Sequence, residues 1–456
     1  MGLLCLSLSA CAHYRENLPL DRIEPADGYR VRASSNVGED STELALVLTF
    51  SGGGTRAAAF AYGVLAALRD VEVEFDGKRR RLSDEIDIIS SVSAGSLTAG
   101  YFGLHGADTF QTFPDRVLYP NIQRALLLRF MAPWSWVRFA SGRFGRGDLL
   151  AEYFDEHIFD GKTYADLSAK RRPAIIINAT DIAAGTQFSF EQDQFDLLCS
   201  DLTPYPIANA VAASSAVPVA FAPLTLVDYP SRDCGYVLPQ WAATAASTAD
   251  MTSRRYQEAR RLQHYTGPEG KRFVHLVDGG ISDNLGLRAL FDKATNAGGY
   301  VALTQATGYT RFRRVLHIVV NAQKERSAES VDTENPPGPV RTLQGASSLT
   351  LDRYTFETVE NFQRDLDTWM EELKAYRCAE QGDRPSRCAD LAAYFIELNL
   401  AQHPDSTERE FLVGLPTALH LEREAVDRVV AAAATILDQS EEFKAFLRDL
   451  ASLSAR

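Results

Sequence analysis

The segment Ile86–Ser96 reads IDIISSVSAGS and joins an apolar run to a helical pattern through a turn of small residues. The apolar run is typical of a strand that is buried on both faces, and Ala94–Leu104 is typical of a helix. The chain holds further short apolar runs with turn signals at their ends: Leu44–Phe50, Ala174–Asn178, Phe273–Val277 and Val315–Val319. Because helical patterns lie between these runs, the sequence predicts an α/β fold with a mainly parallel central sheet.

Ser93 stands at the centre of the turn in this segment. A nucleophile elbow places a serine there, on a strained backbone between a strand and a helix. Gly95 would let the helix begin close to the strand, whereas Ser91 occupies a position that usually carries glycine. The alternative is a turn that is simply rich in serine, because Ser90, Ser91 and Ser96 flank the same position. The segment alone leaves both interpretations open.

A second loop follows the run Leu44–Phe50 and reads SGGGTR, Ser51–Arg56. Its glycines allow a sharp turn and bring amides at a helix N-terminus close to a ligand, where they stabilise negative charge. Such a loop is a phosphate cradle, an oxyanion hole for acyl transfer, or a tight turn without a ligand. The phosphate interpretation is weaker, because no Gly-Lys-Ser/Thr follows and Ala57 stands where a dinucleotide motif has glycine.

A third loop follows the run Phe273–Val277 and begins with Asp278-Gly279-Gly280. An aspartate at the carboxyl end of a parallel strand lies where the sites of α/β proteins assemble. The alternative role is an Asx turn that ends the strand, which is common for Asp-Gly.

The order and spacing of the three loops resemble the patatin-like phospholipase family. The loop Ser51–Arg56 is similar to the oxyanion block of that family, Ser91–Gly95 to its Gly-x-Ser-x-Gly elbow, and Asp278–Gly280 to its Asp-Gly-Gly/Ala block. A fourth stretch, Ala212–Pro223, is similar to the family segment between the elbow and the aspartate. The resemblance extends over about Leu44–Asn321 and implies a patatin-like three-layer fold.

The resemblance also implies a Ser–Asp dyad that hydrolyses fatty-acyl esters of phospholipids or lysophospholipids, with no metal or organic cofactor. Ser93 would attack the ester carbonyl, and Asp278 would take its proton and pass it to the leaving group. The amides of Gly53 and Gly54 would hold the oxyanion, with Gly52 shaping the turn. The residues expected to support these loops are Arg56, Gly95, Gly279 and Gly280.

A conventional catalytic triad is the competing arrangement, and it would place a histidine after the acid in the chain. His317 lies within an apolar run and is typical of a core residue. His403 and His420 occupy loop or helix-start positions and stay conceivable. Because no sequence feature around either histidine points to catalysis, the dyad is favoured over the triad.

The composition excludes several classes of protein. Of the 456 residues, 45% are hydrophobic, which excludes disorder for most of the chain. Lys and Arg total 47 against 60 Asp and Glu, and the net charge of −13 argues against nucleic-acid binding. It also argues against electrostatic recruitment to anionic membranes, unless a local patch or a lipid does that job. No apolar run approaches the ~18 residues of a transmembrane helix.

The first residues predict export and lipidation. Leu8–Cys11 reads LSAC and resembles the lipobox of bacterial lipoproteins, in which the cysteine is acylated and becomes the new N-terminus. We therefore expect a signal peptide over residues 1–10, a lipidated Cys11 and polar tether over residues 11–42, and a place in the bacterial cell envelope that faces the periplasm or the outer membrane. The alternative is a frayed apolar terminus, because the stretch is short and lacks basic residues ahead of it.

The four cysteines beyond Cys5 and Cys11 agree with export. None has metal-ligand spacing. In an oxidising compartment we expect near neighbours in sequence to pair, and the alternative is four reduced thiols. The predicted disulfides are Cys199–Cys234 and Cys378–Cys388.

Residues 124–146 differ in charge from the rest of the chain. They hold five arginines, no acidic residue and five aromatic residues, among them Trp134 and Trp136. The stretch is either a bilayer-interface segment or a helix that packs on the core with solvated arginines.

Together these features predict a catalytic domain over residues 43–324 and a mainly helical extension over residues 325–456. The predicted activity is serine acyl hydrolysis, with membrane lipids as partners and substrates and no nucleic acid. Two alternatives stay open: an esterase or thioesterase for soluble acyl substrates, and a catalytically weak lipid-binding or scaffolding protein on the same fold.

Overall fold

The structure, a computed structural model, describes residues 14–31, 43–75, 77–170, 172–230, 234–248, 250–266, 273–324, 339–381, 388 and 390–454. The predicted signal peptide and Cys11 lie outside these residues. The strands, in chain order, are β1 Leu18–Pro19, β2 Leu44–Phe50, β3 Glu72–Phe75, β4 Lys78–Arg81, β5 Ile86–Val92, β6 Ala174–Asp181, β7 Thr186–Ser189, β8 Ser200–Asp201, β9 Leu224–Val227, β10 Phe273–Val277, β11 Arg314–Asn321 and β12 Ala392–Asn399.

The α-helices, in chain order, are α1 Gly54–Asp70, α2 Ala94–His105, α3 Thr109–Phe113, α4 Ile122–Met131, α5 Pro133–Phe139, α6 Arg146–Phe154, α7 Tyr164–Ser168, α8 Gln192–Asp196, α9 Ile207–Ser214, α10 Gln240–Ala246, α11 Arg254–Thr266, α12 Arg288–Ala297, α13 Tyr300–Thr307, α14 Pro339–Gln381, α15 Ser406–Gly414, α16 Arg423–Gln439 and α17 Glu441–Ser454. Single turns of 3₁₀-helix are Leu82–Glu85, Gly106–Asp108, Gly279–Ile281 and Leu400–Gln402, and short π-helical turns are Pro114–Leu118 and Asp155–Phe159. The predicted α/β class is confirmed, with strands and helices alternating along the chain.

The chain divides into two compact units. The first unit comprises Met1–Val31 and Val92–Ser282, and the second comprises Arg32–Ser91 and Asp283–Arg456. The first unit therefore contains Ser93 and Asp278, and the second contains the loop Ser51–Arg56.

The second unit holds a parallel sheet in the order β12-β11-β2-β5. Strands β2 and β11 are buried along their whole length, which explains why they read as continuous apolar runs. Helix α14 covers the side of β11 that carries Val315 and Val319, through a core that includes Phe362. Helices α1 and α16 pack so closely that a Cβ atom at Gly63 would lie only 2.7 Å from that of Ala433.

Strand β12 lies in the part of the chain that was predicted to be a helical extension. It pairs with β11 along its full length, from Ala392 opposite Arg314 to Asn399 opposite Asn321. The expected boundary at residue 324 therefore does not coincide with the edge of the sheet. The sequence could not show this, because the two strands are separated by α14 and a strand carries no local mark of its partner.

The first unit holds an antiparallel set of strands in the order β7-β6-β10-β9. The expectation that Asp278 ends a parallel strand is wrong, because β10 runs antiparallel to both of its neighbours here, β6 and β9. The expectation that this run is buried on both faces is also wrong, because Phe273 and His275 of β10 are exposed. An apolar run leaves the direction of pairing open, since direction depends on the path of the connecting chain.

The tether prediction is wrong for residues 14–31, which pack on the first unit. Strand β1 pairs with β8, and the Asn17 side chain donates a hydrogen bond to Ser200 Oγ over 2.8 Å. The Tyr29 hydroxyl accepts one from the Ile175 amide over 2.6 Å. These two buried side chains fix a segment whose polar composition had suggested a solvated linker.

The structure joins Cys199 to Cys234 in the first unit and Cys378 to Cys388 in the second. Among the described helices, none combines the length and apolar character that a bilayer crossing requires.

Candidate active site

Ser93 is the single residue between β5 and α2, and its backbone is in the left-handed region with φ of 52°. A residue with a side chain is rarely found there, and such strain is concentrated at functional positions. The Ser93 amide donates to Ser214 Oγ over 2.7 Å, which holds the strained turn in place. The turn therefore has the geometry of a nucleophile elbow.

The carboxylate of Asp278 accepts the hydroxyl hydrogen of this serine. Ser93 Oγ lies 2.9 Å from Asp278 Oδ2, while Asp278 Oδ1 accepts from the Gly280 amide over 2.8 Å. Asp278 therefore faces Ser93 with one oxygen and forms the Asx turn with the other. The Asx turn at Oδ1 fixes the carboxylate so that Oδ2 faces the serine.

The backbone around Asp278 is held on both sides. Its amide donates to Ala216 O over 3.0 Å, and its carbonyl accepts from Thr180 Oγ1 over 2.9 Å. Gly279 lies so close to β6 that a Cβ atom there would collide with Asn178 O. A glycine is therefore required directly after the aspartate.

Burial raises the pKa of Asp278 to about 6, and the hydrogen bonds from Gly280 and Ser93 to the carboxylate partly oppose this rise. At neutral pH the group is mostly ionised, yet it is a stronger base than an exposed carboxylate. A general base is most effective when its pKa lies near the working pH. The site therefore suits proton transfer from the serine.

None of the histidines considered for a triad hydrogen-bonds to Ser93 or Asp278 among the described residues. His317 is buried in β11 beside the Phe362 ring, and burial lowers its pKa to about 4. His403 lies near the carbonyl of Asp405, and His420 lies 3.7 Å from a carboxylate oxygen of Glu422. The serine and the aspartate thus meet without an imidazole between them.

The glycine loop of the second unit connects β2 to α1. The Gly52 amide donates to Asn284 O over 3.1 Å, so this glycine forms part of the turn and is not a free donor. Gly53 and Gly54 have φ of 143° and 64°, and the amides of both have no hydrogen-bond partner within the described residues. Of the three glycines expected at an oxyanion hole, two therefore present unpaired donors.

Arg56 is fully buried and binds carbonyl groups instead of a carboxylate. Its Nε donates to Ala322 O over 3.0 Å, and its Nη1 donates to Leu415 O. Desolvation lowers the pKa of Arg56 to about 10. These contacts tie the helix that follows the glycine loop to the chain around residue 415, and the supporting role expected for Arg56 stays a prediction.

Sequence reasoning missed two residues that position the serine and the aspartate. Ser214 lies in the stretch Ala212–Pro223, which was noted without a role for any single residue, and it donates to Asn178 O over 2.6 Å. Thr180 lies just beyond the run that predicted β6. No local signal marks either hydroxyl, because each acts on a backbone group far away in sequence.

Gly95 lies in the first turn of α2 and is buried, as a close start of the helix requires. Within the described residues, no group of three or more His, Cys, Asp or Glu side chains is arranged to hold a metal ion.

The fold and the Ser93–Asp278 pair define an α/β protein with a nucleophile elbow. A family model described as patatin-like phospholipase matches residues 48–291, which is more than half of the chain and contains the glycine loop, Ser93 and Asp278. The chain belongs to the patatin-like phospholipase family.

Among solved structures, the chain is similar to human GIVD cytosolic phospholipase A2, with 12% sequence identity and a TM-score of 0.41; the match covers 90% of this chain and 60% of that chain. Two complexes of that human protein with methyl gamma-linolenyl fluorophosphonate, one of them also with terbium chloride, match at 12% and 13% identity with TM-scores of 0.36 and 0.40. Each of these matches covers 91% of this chain and 60% of that chain, so the chain spans less than two thirds of those structures. No curated protein matches the sequence.

Proposed function

We propose that this protein is a serine acyl hydrolase that cleaves fatty-acyl esters of phospholipids or lysophospholipids through Ser93 and Asp278. The observation that carries the proposal is the direct 2.9 Å hydrogen bond between the elbow serine and a buried carboxylate. Membership of the patatin-like phospholipase family supports lipid esters as the substrate class.

In the proposed reaction, Ser93 Oγ forms a bond to the ester carbonyl carbon as its proton passes to Asp278 Oδ2. The tetrahedral intermediate collapses when the C–O bond to the leaving alcohol breaks, and Asp278 returns the proton to that alcohol. Water then attacks the acyl-enzyme with Asp278 as base, which releases the fatty acid and restores the serine. The amides of Gly53 and Gly54 are the candidate donors to the oxyanion.

The proposed location is the bacterial cell envelope, outside the reducing cytoplasm. Two disulfides within the described residues support an oxidising compartment. The acylated Cys11 would add a lipid anchor, which suits an enzyme that acts on lipids at a surface.

The test is fatty-acid release from phospholipid mixed micelles by the full chain carrying Cys11→Ser, which prevents acylation. Ser93→Ala and Asp278→Asn are each expected to lower the rate by about 10³-fold or more. Ser215→Ala is the matched control, because this buried neighbouring hydroxyl has no hydrogen-bond partner within the described residues. A fluorophosphonate probe should label the parent and the Ser215→Ala variant but not the Ser93→Ala variant.

Other outcomes separate the alternatives. Full activity in the Asp278→Asn variant would overturn the dyad and favour a histidine base. Turnover of short soluble esters without any release from micelles would favour a soluble-substrate esterase. If the parent shows neither turnover nor labelling, the result overturns the proposed hydrolase and favours a lipid-binding or scaffolding protein on the same fold.

A further inference from the structure

Helices α4 and α5 form a hairpin, here called the α4–α5 hairpin and defined as residues 121–146, that exposes a group of large apolar side chains. Their exposed fractions lie between 49% and 66%. The members are Leu127, Leu128, Met131, Trp134, Trp136 and Val137. The sequence left open whether this stretch packs on the core, and for these six side chains the structure shows that it does not. The surface of a soluble monomeric protein rarely carries so many exposed large apolar side chains so close together.

The hairpin is fixed to the body of the first unit, so the exposure does not come from a loose segment. Arg138 pairs with Glu152 on α6 and lies over the Phe144 ring, with 3.6 Å from its guanidinium carbon to the ring centroid. Arg129 pairs with Glu156 over 2.5 Å and lies over the Tyr153 ring. These two arginines are therefore used in packing.

The other three arginines of the hairpin are exposed and have no carboxylate partner within the described residues. Arg124 and Arg143 form no side-chain hydrogen bond or ion pair there. Arg146 donates to Val219 O over 2.8 Å, and a carbonyl leaves its charge uncompensated. The hairpin thus combines apolar area with uncompensated positive charge in a chain of net charge −13.

The contact between Arg146 and Val219 connects the hairpin to the Ser93–Asp278 pair within the first unit. Val219 is 71% exposed with φ of 73°, a strained conformation for a β-branched residue. Gly147 lies so close to the same loop that a Cβ atom there would collide with Ala222 O. At the other end of the loop, Ala216 O accepts the Asp278 amide. The chain from Ala216 to Ala222 therefore leads from the aspartate to the hairpin.

We propose that the α4–α5 hairpin and the exposed loop 217–221 form one surface that docks on an anionic phospholipid bilayer. The apolar side chains enter the outer acyl region, the tryptophans lie at headgroup depth, and the three uncompensated arginines bind lipid phosphates. The proposal deepens the proposed function and rests on it for the identity of the substrate, since a docked loop would deliver lipid towards Asp278.

Charge complementarity distinguishes a bilayer from a second copy of this chain. Two copies meeting at this surface would bring six uncompensated arginines together, which opposes association, whereas anionic lipid attracts each of them. The tryptophan and arginine pairing is also typical of side chains at the membrane–water interface.

The test measures binding to phosphatidylglycerol–phosphatidylcholine vesicles by co-sedimentation, with the full chain carrying Cys11→Ser and Ser93→Ala. These substitutions prevent acylation and hydrolysis, so binding is measured apart from catalysis. Replacing both Trp134 and Trp136 by Ala is expected to weaken binding by about tenfold or more. Replacing both Arg124 and Arg143 by Gln should weaken it by about tenfold on anionic vesicles, with little effect on neutral vesicles.

Matched controls come from the same unit. Val137→Ser should weaken binding, whereas Val237→Ser should not, because Val237 is 82% exposed but lies outside the surface. Arg260→Gln, on the exposed face of α11, is the control for the arginines. Near-ultraviolet circular dichroism of each variant confirms that the fold is kept.

Equal vesicle binding by the parent and the hairpin variants would overturn the proposal. So would a dimer in sedimentation velocity that the hairpin substitutions dissolve, combined with no vesicle binding by the parent. Binding that depends on the hairpin in a protein without esterase activity would refute the proposed function and leave this surface established.

Discussion

The substitution Asp278→Asn is expected to abolish turnover and at the same time to stabilise the folded protein. An asparagine can keep both hydrogen-bonding positions, because its oxygen accepts from Gly280 while its NH₂ group faces Ser93. What it lacks is a negative charge buried without a cationic partner. Without that charge the protein loses the base that the reaction needs. It also no longer bears the unfavourable free energy of burying a charged group.

The size of the effect follows from the pKa of Asp278, about 6 in the folded protein against 3.8 for a free aspartate. Below pH 3.8 both states carry the proton, and the burial costs nothing. Between these two values only the unfolded chain ionises, so the free energy of unfolding falls by about 1.4 kcal/mol for each pH unit. Above pH 6 the free energy of unfolding has fallen by the full amount, about 3 kcal/mol, and it does not fall in the asparagine variant.

Urea unfolding of the parent and of Asp278→Asn at pH 4.5 and pH 8, with disulfides intact, measures this difference. The variant should gain about 2 kcal/mol relative to the parent between the two pH values, because this range covers most of the titration. Other carboxyl groups titrate equally in both proteins and cancel. Over the same range, kcat/KM of the parent should fall tenfold per unit below about pH 6. A stability difference that does not change with pH would refute the argument that Asp278 is buried as an uncompensated base.

Two further predictions concern the glycine loop and the elbow. Gly54→Ala should lower the free energy of unfolding, measured in urea, by about 3 kcal/mol, because the new Cβ atom collides with Ala418 O at a residue of positive φ. Gly77→Ala is the control: Gly77 has a similar φ but lies in open space, so this change should cost about 1 kcal/mol. Equal costs of the two substitutions would contradict the packing argument. Ser214→Ala should lower kcat on a monomeric ester about tenfold at unchanged KM, since the Ser93 amide loses its acceptor. Ser215→Ala, which breaks no hydrogen bond among the described residues, should keep the parent rate, and an equal loss in both variants would exclude a specific role for Ser214.

Much of the fold was readable from local pattern. The runs Leu44–Phe50 and Phe273–Val277 coincide with β2 and β10 residue for residue, and Ala94–Leu104 lies within α2. Full burial of β2 requires apolar side chains on both of its faces, and that requirement is visible in sequence. Strand β10 is only partly buried, because Phe273 and His275 are exposed. The pairing of β12 with β11 and the antiparallel direction of β10 were not readable, because they depend on where distant parts of the chain meet.

The site shows the same division. The small residues around Ser93 are those that a strained turn tolerates, and the role of Asp278 is implied by the resemblance of Asp278–Gly280 to the Asp-Gly-Gly/Ala block of the family. Their hydrogen bond joins residues 185 positions apart and exists only after folding. The hydroxyls of Ser214 and Thr180 act on backbone groups 121 and 98 positions away, so no local spacing could have assigned them a role.

By itself the sequence indicated several of the strands and helices, because hydrophobic period and turn residues are local properties, and its motif order indicated Ser93 and Asp278 through the resemblance to the patatin-like phospholipase family. Only the tertiary structure decided how those residues are used. Burial raised the pKa of Asp278. The Arg56 guanidinium donates hydrogen bonds to the carbonyl groups of Ala322 and Leu415, and large apolar side chains of residues 127–137 are exposed. Each of these outcomes depends on how far a side chain is shielded from water and on the polar groups around it. Both are determined by chain segments that are remote in sequence.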